Sequence, residues 1–533
     1  MQAGTHHRCT LPPYAYERES GAGSAPLQRT YRRREPEKSV LYSVVQEHLA
    51  TFLAQAEERS GCGTGYPAFI EREFRRYLDC GILARGFARL RCPSCGFERL
   101  VGFSCKGRMC PSCWTRRAAD TAAQLVDRLL PLVPYRQWVL SFPWELRFLL
   151  AIDRAFLSRM LRVTLKTLFS WKKERGRSLG HADGHTGSVT FIQRFGSALN
   201  LNPHLHCLLP DGLFVPSRGG PLSFVPLPEP SQEELQTVLQ RLVHRLGKVA
   251  RARLEQAHSD ESVDDEQQAV YNSAGEALRL PFGRSTCDSS WSELHTKPLC
   301  ASLDGFSLHA ARRIAAHDRD GLERLCRYGL RAPFSAQRFY QLPDNTVVYQ
   351  LKRPWPGPGG RTELVFDPTA LLRRLAALFP APYLNLVRYH GVLHNRSRFR
   401  DQLPRPYDEP IEPGPNKPLD GAQTDSTSHP LLKRPRRLGW AQLLRRVLNV
   451  DALSCPSCAI PMLVIAFITE PTVIKRILDH LNIPSSLPAI APAQLSPQVE
   501  LDFSQTAHQS DTELTPDTLS HCHTRSPPEQ PLS

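Results

Sequence analysis

Apolar positions along this chain recur at two periods, and each period predicts a different element. From Ser39 to Glu57, residues Leu41, Val44, Val45, Leu49, Phe52 and Leu53 fall at helical spacing, and a second helix is predicted around Ala68 to Leu78. Helical spacing returns from Thr115 to Leu130. It returns again from Glu145 to Trp171, through Phe148, Leu149, Ile152, Phe156, Met160, Val163 and Leu168. Ser231 to Gln256 is another helix, with Ser231 and Glu234 as a capping-box pair ahead of its apolar face. Shorter helices are predicted at Asp320–Leu330, Asp367–Phe379, Trp440–Leu448 and Thr472–Leu481. Strand composition marks Tyr135 to Ser141, stopped by Pro143, and a hairpin from Arg338 to Leu351 turning at Pro343-Asp344-Asn345.

The most informative strand pair runs from Gly187 to Gly212, GSVTFIQRFGSALNLNPHLHCLLPDG. Val189 to Phe195 is rich in β-branched and aromatic residues, and His204 to Leu209 is a second apolar run beyond a polar turn. Side chains alternate across a strand, so His204 and His206 share one face while Leu205 and Cys207 share the other. Two imidazoles at this spacing can converge on one cation. If the strands pair as neighbours, Gln193 can supply a third ligand. Two packed histidines with no metal are the plain alternative.

The helix DGLERLCRYGL carries Tyr328 on its flank beside Arg324, with Arg327 and Arg331 near it, while Leu322, Leu325 and Cys326 face a core and Pro333 ends the run. A tyrosine in such a helix can simply pack. Among arginines that would hold a phosphate's charge, it is also a sensible nucleophile.

At 533 residues the chain is long enough for about three domains. Its net charge of +15 points to a polyanionic partner, most simply nucleic acid. No apolar stretch reaches the length of a membrane span and the N-terminus has no signal-peptide apolar region, so an intracellular setting is expected. In that setting, 15 cysteines with several Cys-x-x-Cys pairs favour metal binding over disulfides.

Cys92-Pro-Ser-Cys95 and Cys110-Pro-Ser-Cys113 are separated by 14 residues, the pattern of a zinc ribbon in which two knuckles complete one tetrahedral site. Cys62, Cys80 and Cys105 are left over, Cys105 being either a core residue or an alternative ligand. Lys106, Arg108, Arg116 and Arg117 surround the second knuckle, with Phe97, Phe103 and Trp114 as aromatic faces, a mixture suited to nucleic acid. A ribbon that only props up its neighbours is the alternative. Cys455-Pro-Ser-Cys458 is a lone knuckle that would need partners such as His480 or a second chain.

These readings divide the chain into a disordered N-terminus (1–36), a zinc-binding DNA-recognition domain (37–120), a catalytic domain (121–400), a Pro-rich basic linker (401–438), a C-terminal helical segment (439–484) and a disordered tail (485–533). Residues 257–275 are expected to form an exposed polar excursion. Strand, long helix, then a strand pair gives an α+β class.

Three stretches together resemble the rolling-circle insertion-sequence transposases of the HUH single-strand endonuclease class, with their N-terminal transposase zinc-binding domain. They are Cys92 to Cys113, including Ser104-Cys105-Lys106 and Arg108-Met109-Cys110-Pro111; the strand pair above; and RYGLRAPFS followed by the hairpin and Val387-Arg388-Tyr389-His390-Gly391. The likeness covers roughly residues 40 to 400 and, more loosely, 440 to 482. It implies an antiparallel HUH-type sheet with packed helices. It also implies Mg2+ or Mn2+ at the His-x-His pair, structural Zn2+ in the N-terminal domain, and Tyr328 attacking single-stranded DNA through a 5′-phosphotyrosine. A DNA-associated protein of the bacterial cytoplasm is implied too. Some members have two tyrosines four residues apart on this helix; here Arg324 stands four before Tyr328, so the chain resembles a one-tyrosine member. A plasmid-type replication initiator and a non-catalytic zinc-ribbon DNA-binding protein are the competing readings.

Overall fold

The computed structural model describes residues 29–59, 65–217, 220–259, 298–354, 360–404 and 438–495. Cys62 and most of the expected 257–275 excursion, 401–438 linker and C-terminal tail lie outside these residues. Helices α1 (Val40–Arg59) and α2 (Ala68–Leu78) lead to a hairpin of β1 (Phe87–Arg91) and β2 (Glu98–Gly102), then to helix α3 (Pro111–Gln124). Strand β3 (Tyr135–Ser141), helices α4 (Trp144–Ile152) and α5 (Arg154–Ser178), and strands β4 (Gly187–Phe195) and β5 (Leu201–Pro210) follow. A hairpin of β6 (Gly212–Ser217) and β7 (Gly220–Pro226) leads to helix α6 (Gln232–Ser259), and strands β8 (Cys300–Leu303) and β9 (Phe306–His309) to helix α7 (Arg319–Gly329). Beyond α7 come β10 (Phe339–Gln341), β11 (Val347–Gln350), β12 (Glu363–Phe366), α8 (Pro368–Leu378) and β13 (Val387–Gly391). Helix α9 (Trp440–Leu448), strand β14 (Leu463–Ile468) and helix α10 (Pro471–His480) complete the set.

The central sheet has the order β13-β4-β5-β3-β9-β8, antiparallel at every pairing, with the short strand Arg313–Ile314 also on β3. The chain is therefore α+β with antiparallel sheets. One sheet face packs on α5 and α6 through Trp138, Leu140, Ile192, Leu205 and Cys207. The other, through Val189, Phe191 and Leu208, packs on Leu322, Leu325 and Cys326 of α7. An 11-residue helix is marginal alone, so this buried stripe is what holds α7 in place.

Several boundaries differ from the periodic reading. The predicted helix 145–171 is two helices, because Asp153 caps the second: its carboxylate accepts from the Phe156 amide at 2.8 Å. Apolar spacing runs through such a break unaltered. Helix α3 starts at Pro111, four residues before its predicted start, since proline is well placed in a first helical turn. The Ser231–Glu234 box is present, with Ser231 N donating to Glu234 at 2.8 Å and Glu234 N to Ser231 Oγ at 3.2 Å.

Chain ends expected to be disordered are partly placed. Arg29–Thr30 pairs in parallel with Val450–Asp451, and Arg34 Nη2 donates to the Cys80 carbonyl at 2.6 Å. At the other end, Gln46 Nε2 donates to the Ala489 carbonyl at 2.7 Å and Ala491 N to the Gln46 carbonyl at 3.0 Å. One core also runs across the boundary expected at residue 120, joining Leu41, Val45 and Phe74 to Leu371, Leu375 and Phe379. All of these elements belong to one compact unit ending at Ala493.

Helix α7 lies close on the sheet because Gly329 has no side chain. A Cβ there would come within 2.7 Å of the Phe191 ring, which is itself fully buried in the core beneath the helix. We expect Gly329→Ala to destabilise the fold by about 1–3 kcal/mol, overpacking outweighing the helix-propensity gain. Adding Phe191→Leu should recover part of that loss, as read from the midpoints of urea unfolding curves.

Candidate active site and cysteine clusters

In the β4–β5 ladder Gln193 stands opposite His204 and Phe191 opposite His206, so both histidines and Gln193 share the face that carries α7. The imidazole rings lie 4.8 Å apart, centre to centre. His204 Nδ1 is 2.7 Å from the Asn202 carbonyl, which can only accept, so Nδ1 donates and Nε2 keeps its lone pair. His206 Nδ1 is 3.0 Å from the side-chain amide of Gln137. Gln137 Nε2 is the nearer amide atom and can only donate, so Nδ1 accepts in this orientation; a cation at His206 Nε2 would require the Gln137 amide to turn its oxygen to the ring. Burial pushes the His204 pKa down to about 4 and that of His206 well below the usual histidine range, so both rings are neutral near pH 7.

Tyr328 reaches the same place from α7. Its ring is 5.9 Å from that of His206, nearly perpendicular, and the side chain is half exposed. Gln193 Nε2 donates to the main-chain carbonyls of Tyr328 at 2.8 Å and Gly329 at 3.1 Å, tying the last turn of α7 to the strand. Trp114 on α3 donates to the Leu330 carbonyl at 2.7 Å and holds the same turn from the other side. The Arg331 guanidinium lies 4.7 Å from the centre of the Tyr328 ring. Gln193 Oε1, His206 Nε2 and Arg331 Nε are buried here without a hydrogen-bond partner. Among the described tyrosines, Tyr349 is buried in the hairpin, and Tyr383 is exposed with φ +62°. Tyr389 packs against the α7 core.

A cleft of about 700 Å³ opens beside Gln193 and Arg331, and Arg108, Arg117 and Arg388 also line it. The seven basic residues named from sequence thus separate. Arg108, Arg117 and Arg331 line this cleft; Arg116 lines a second cavity of similar size, floored by α9. Lys106 is exposed away from both. Arg324 pairs with Asp318 at 3.8 Å and Arg327 with Glu323 at 3.9 Å, so both are engaged by carboxylates of their own segment.

The cysteines regroup. The expected set Cys92, Cys95, Cys110 and Cys113 is divided between two clusters, Cys80-Cys105-Cys110-Cys113 and Cys92-Cys95-Cys455-Cys458. The reason is the hairpin between the knuckles. Cys92 and Cys95 sit at the β1–β2 turn, while Cys105, Cys110 and Cys113 lie beyond the far end of β2. Five extended residues separate the two ends by roughly 14 Å, too far for one ion. Cys80 joins the far group because Gly81 N bonds the Phe103 carbonyl at 2.9 Å.

In the first cluster Cys80–Cys113 and Cys105–Cys113 sulfurs are 3.5 Å apart and Cys80–Cys110 3.6 Å, near the roughly 3.8 Å edge of a tetrahedral zinc thiolate site. Hydrogen bonds from Cys105, Cys110 and Cys113 drive the Cys80 thiol far toward thiolate. Arg34, from a segment read as disordered, donates to Cys80 Sγ at 3.0 Å and offsets the negative charge of such a site. Neither Arg34 nor Gln137 carries a local sequence signal; Cys105-x4-Cys110-x2-Cys113 is a spacing that could have recruited Cys105.

Cys80→Ser and Cys105→Ser should each lose the same zinc equivalent as Cys110→Ser, measured by plasma mass spectrometry. Each should speed hydrogen exchange across residues 65–124, since a structural zinc contributes on the order of 10 kcal/mol to folding. Full zinc content in Cys80→Ser would break this grouping.

Residues 187–400 match a family model described as "Putative transposase", and residues 44–142 one described as "Transposase zinc-binding domain". The first span contains Gln193, His204, His206 and Tyr328; the second contains the whole Cys80–Cys113 cluster. The chain is 23% identical over 416 residues to "Transposase for insertion sequence element IS801" of Pseudomonas savastanoi pv. phaseolicola, covering 75% of this chain and 84% of that protein. It is 29% identical over 140 residues to "Putative transposase y4qJ" of Sinorhizobium fredii, covering 26% of this chain and 33% of that protein. No solved structure matches. The two family spans follow in order and together exceed half of the chain, and the insertion-sequence relative runs across both: the chain belongs to the insertion-sequence transposases, with a zinc-binding domain ahead of the transposase region.

Proposed function

We propose that this transposase cuts and rejoins single-stranded DNA through Tyr328, at a divalent-cation site made by His204, His206 and Gln193. The observation that carries the reading is the meeting of Tyr328 with the His pair, beside two buried atoms, Gln193 Oε1 and His206 Nε2, that lack partners. Two neutral imidazoles and an amide oxygen would by ligand chemistry alone also take zinc; the family resemblance favours Mg2+ or Mn2+, with solvent or phosphate oxygens completing the set. When bound, such a cation polarises the scissile phosphate and neutralises charge that develops on it.

The remaining steps belong to the chain's own residues. The cleft arginines Arg108, Arg117 and Arg331 hold the DNA backbone, which is sequence-independent work. Tyr328 Oη attacks phosphorus in line and gives its proton to water. The bond from phosphorus to the 3′ oxygen breaks, and that oxygen keeps the bonding pair, takes a proton from water and leaves as a 3′ hydroxyl. The product is a 5′-phosphotyrosine, in which the energy of the broken bond is kept. An incoming 3′ hydroxyl reverses the step and joins strands without ATP. Gln193 holds the Tyr328 main chain by hydrogen bonds, so the nucleophile is oriented by a cation-site residue. This HUH-type reading is supported by the central antiparallel β4–β5 pair with helices on both faces.

Tyr328→Phe removes only a half-exposed hydroxyl, so unfolding should move by less than about 0.5 kcal/mol and DNA binding should persist. No covalent adduct should form with labelled single-stranded DNA and Mg2+ or Mn2+. Peptide mapping of the wild-type adduct to Tyr389 or Tyr340 would sink the nucleophile assignment.

His204→Ala with His206→Ala should lower the cleavage rate at least about a thousandfold, the several kcal/mol that a polarising cation supplies. Affinity for single-stranded DNA in the presence of chelator should change little. Wild-type cleavage by the double variant would remove the cation site from the mechanism.

A further inference from the structure

Cys92-Pro-Ser-Cys95 and Cys455-Pro-Ser-Cys458 are some 360 residues apart in sequence, yet their sulfurs form one group within 4.8 Å. Cys92–Cys458 is 3.4 Å, Cys95–Cys455 3.5 Å and Cys95–Cys458 3.8 Å, the spacing of four thiolates around one ion and well beyond a disulfide bond. The two knuckles are built alike. Gly96 N donates to the Cys92 carbonyl and Ala459 N to the Cys455 carbonyl, and both residues have left-handed backbones, φ +74° and +58°. A non-glycine residue takes that conformation only when its surroundings impose it. The zinc-binding family model ends at residue 142, so half of this ligand set falls outside it.

We propose that Cys92, Cys95, Cys455 and Cys458 hold a second zinc ion, which latches the C-terminal segment 438–483 across the N-terminal domain. The contacts around the cluster fit a latch. Strand β14 extends the β1–β2 hairpin as an antiparallel neighbour of β1, although Leu463, Val464, Ile465 and Phe467 remain largely exposed and give it little burial of its own. Among the described residues the apolar cores at the junction are small, Leu90 with Met462, and Leu83 and Phe87 with Ile474 and Leu478. So thin an apolar contact across so long a connection is where a metal cross-link contributes most. From the latch the segment reaches α7. Arg446 on α9 binds Asp127 at 2.5 and 2.8 Å and Glu323 of α7 at 2.6 and 2.9 Å. The second zinc thereby steadies the helix that carries Tyr328; the catalytic meaning of that link rests on the function proposed above, but the latch itself does not.

The test uses the full chain. The wild type should contain two zinc ions. Cys455→Ser/Cys458→Ser should contain one, Cys92→Ser/Cys95→Ser one, and the four-fold variant still one, because both pairs serve the same ion. In the Cys455→Ser/Cys458→Ser variant, amide exchange should speed up in residues 87–91, 463–468 and 319–329. Should a variant fail to fold, the wild type decides: in zinc-loaded protein all four cysteines should resist iodoacetamide, and chelation should expose them together. Two zinc ions in Cys455→Ser/Cys458→Ser, unchanged exchange in both strands, or alkylation of Cys455 and Cys458 while Cys92 and Cys95 stay protected would each overturn the proposal. Cleavage activity enters none of these readouts, so failure of the latch and failure of the Tyr328 mechanism are told apart.

Discussion

Everything at the candidate site depends on the register of β4 against β5. That pairing sets Gln193 opposite His204 and Phe191 opposite His206, on the α7 side of the sheet. A slip of one residue would turn Ile192 or Leu205 toward α7 and bury the imidazoles among the apolar side chains of α5 and α6. The slip is opposed on both faces, because Ile192, Leu205 and Cys207 fill one core while Val189, Phe191 and Leu208 fill another. A sheet covered on one side only would leave the register less strictly held. Here two cores specify it, and the polar residues ride on that specification.

The helix is then fitted to the sheet by devices that differ in kind. Gly329 allows the approach and Phe191 limits it. Gln193 and Trp114 capture successive carbonyls at the end of α7, one from the sheet and one from the cysteine-bearing domain. Glu323, 6% exposed, takes Arg446 from the C-terminal segment. Three parts of the chain thus fix one short helix whose own hydrogen bonds would not keep it folded. Tyr328 stays half exposed because it falls on the flank between these anchors, where it is held in position and still open to a ligand.

How much of this was legible in the sequence follows from the range of each interaction. His204 and His206 sharing a face is a consequence of strand alternation over three residues, and the Leu322, Leu325, Cys326 stripe is a consequence of helical spacing over five; both can be read locally. That Gln193 meets them needed only the adjacent strand. The grouping of the cysteines was not local. Identical Cys-Pro-Ser-Cys knuckles invite pairing by proximity in sequence, and the intervening β2 strand forbids it. The partner of the first knuckle lay at the far end of the chain. Asp153 was missed for a related reason, since a cap interrupts a helix without disturbing its apolar period.

The basic excess was the least specific signal, and the structure explains why. Several arginines are consumed inside the fold as readers of main-chain carbonyls. Arg374, 1% exposed, donates to Leu199 and Ala198, and Arg194 donates to Ala151. Arg319 binds the carbonyls of Val126 and Leu130, and Arg136 joins Asp211, Glu229 and the Ala310 carbonyl. A planar guanidinium with five donors can satisfy several loop carbonyls at once, which an ammonium group on a flexible stem does less well. Such residues count toward net charge while presenting little of it to solvent. What a polyanion would meet is therefore set by position. Even in the cleft lined by Gln193 the distinction is one of degree, because Arg108, Arg117 and Arg388 line its wall and each also donates to a main-chain carbonyl, Arg108 to Pro380 and Ala381, Arg117 to Lys106 and Arg388 to Asn385.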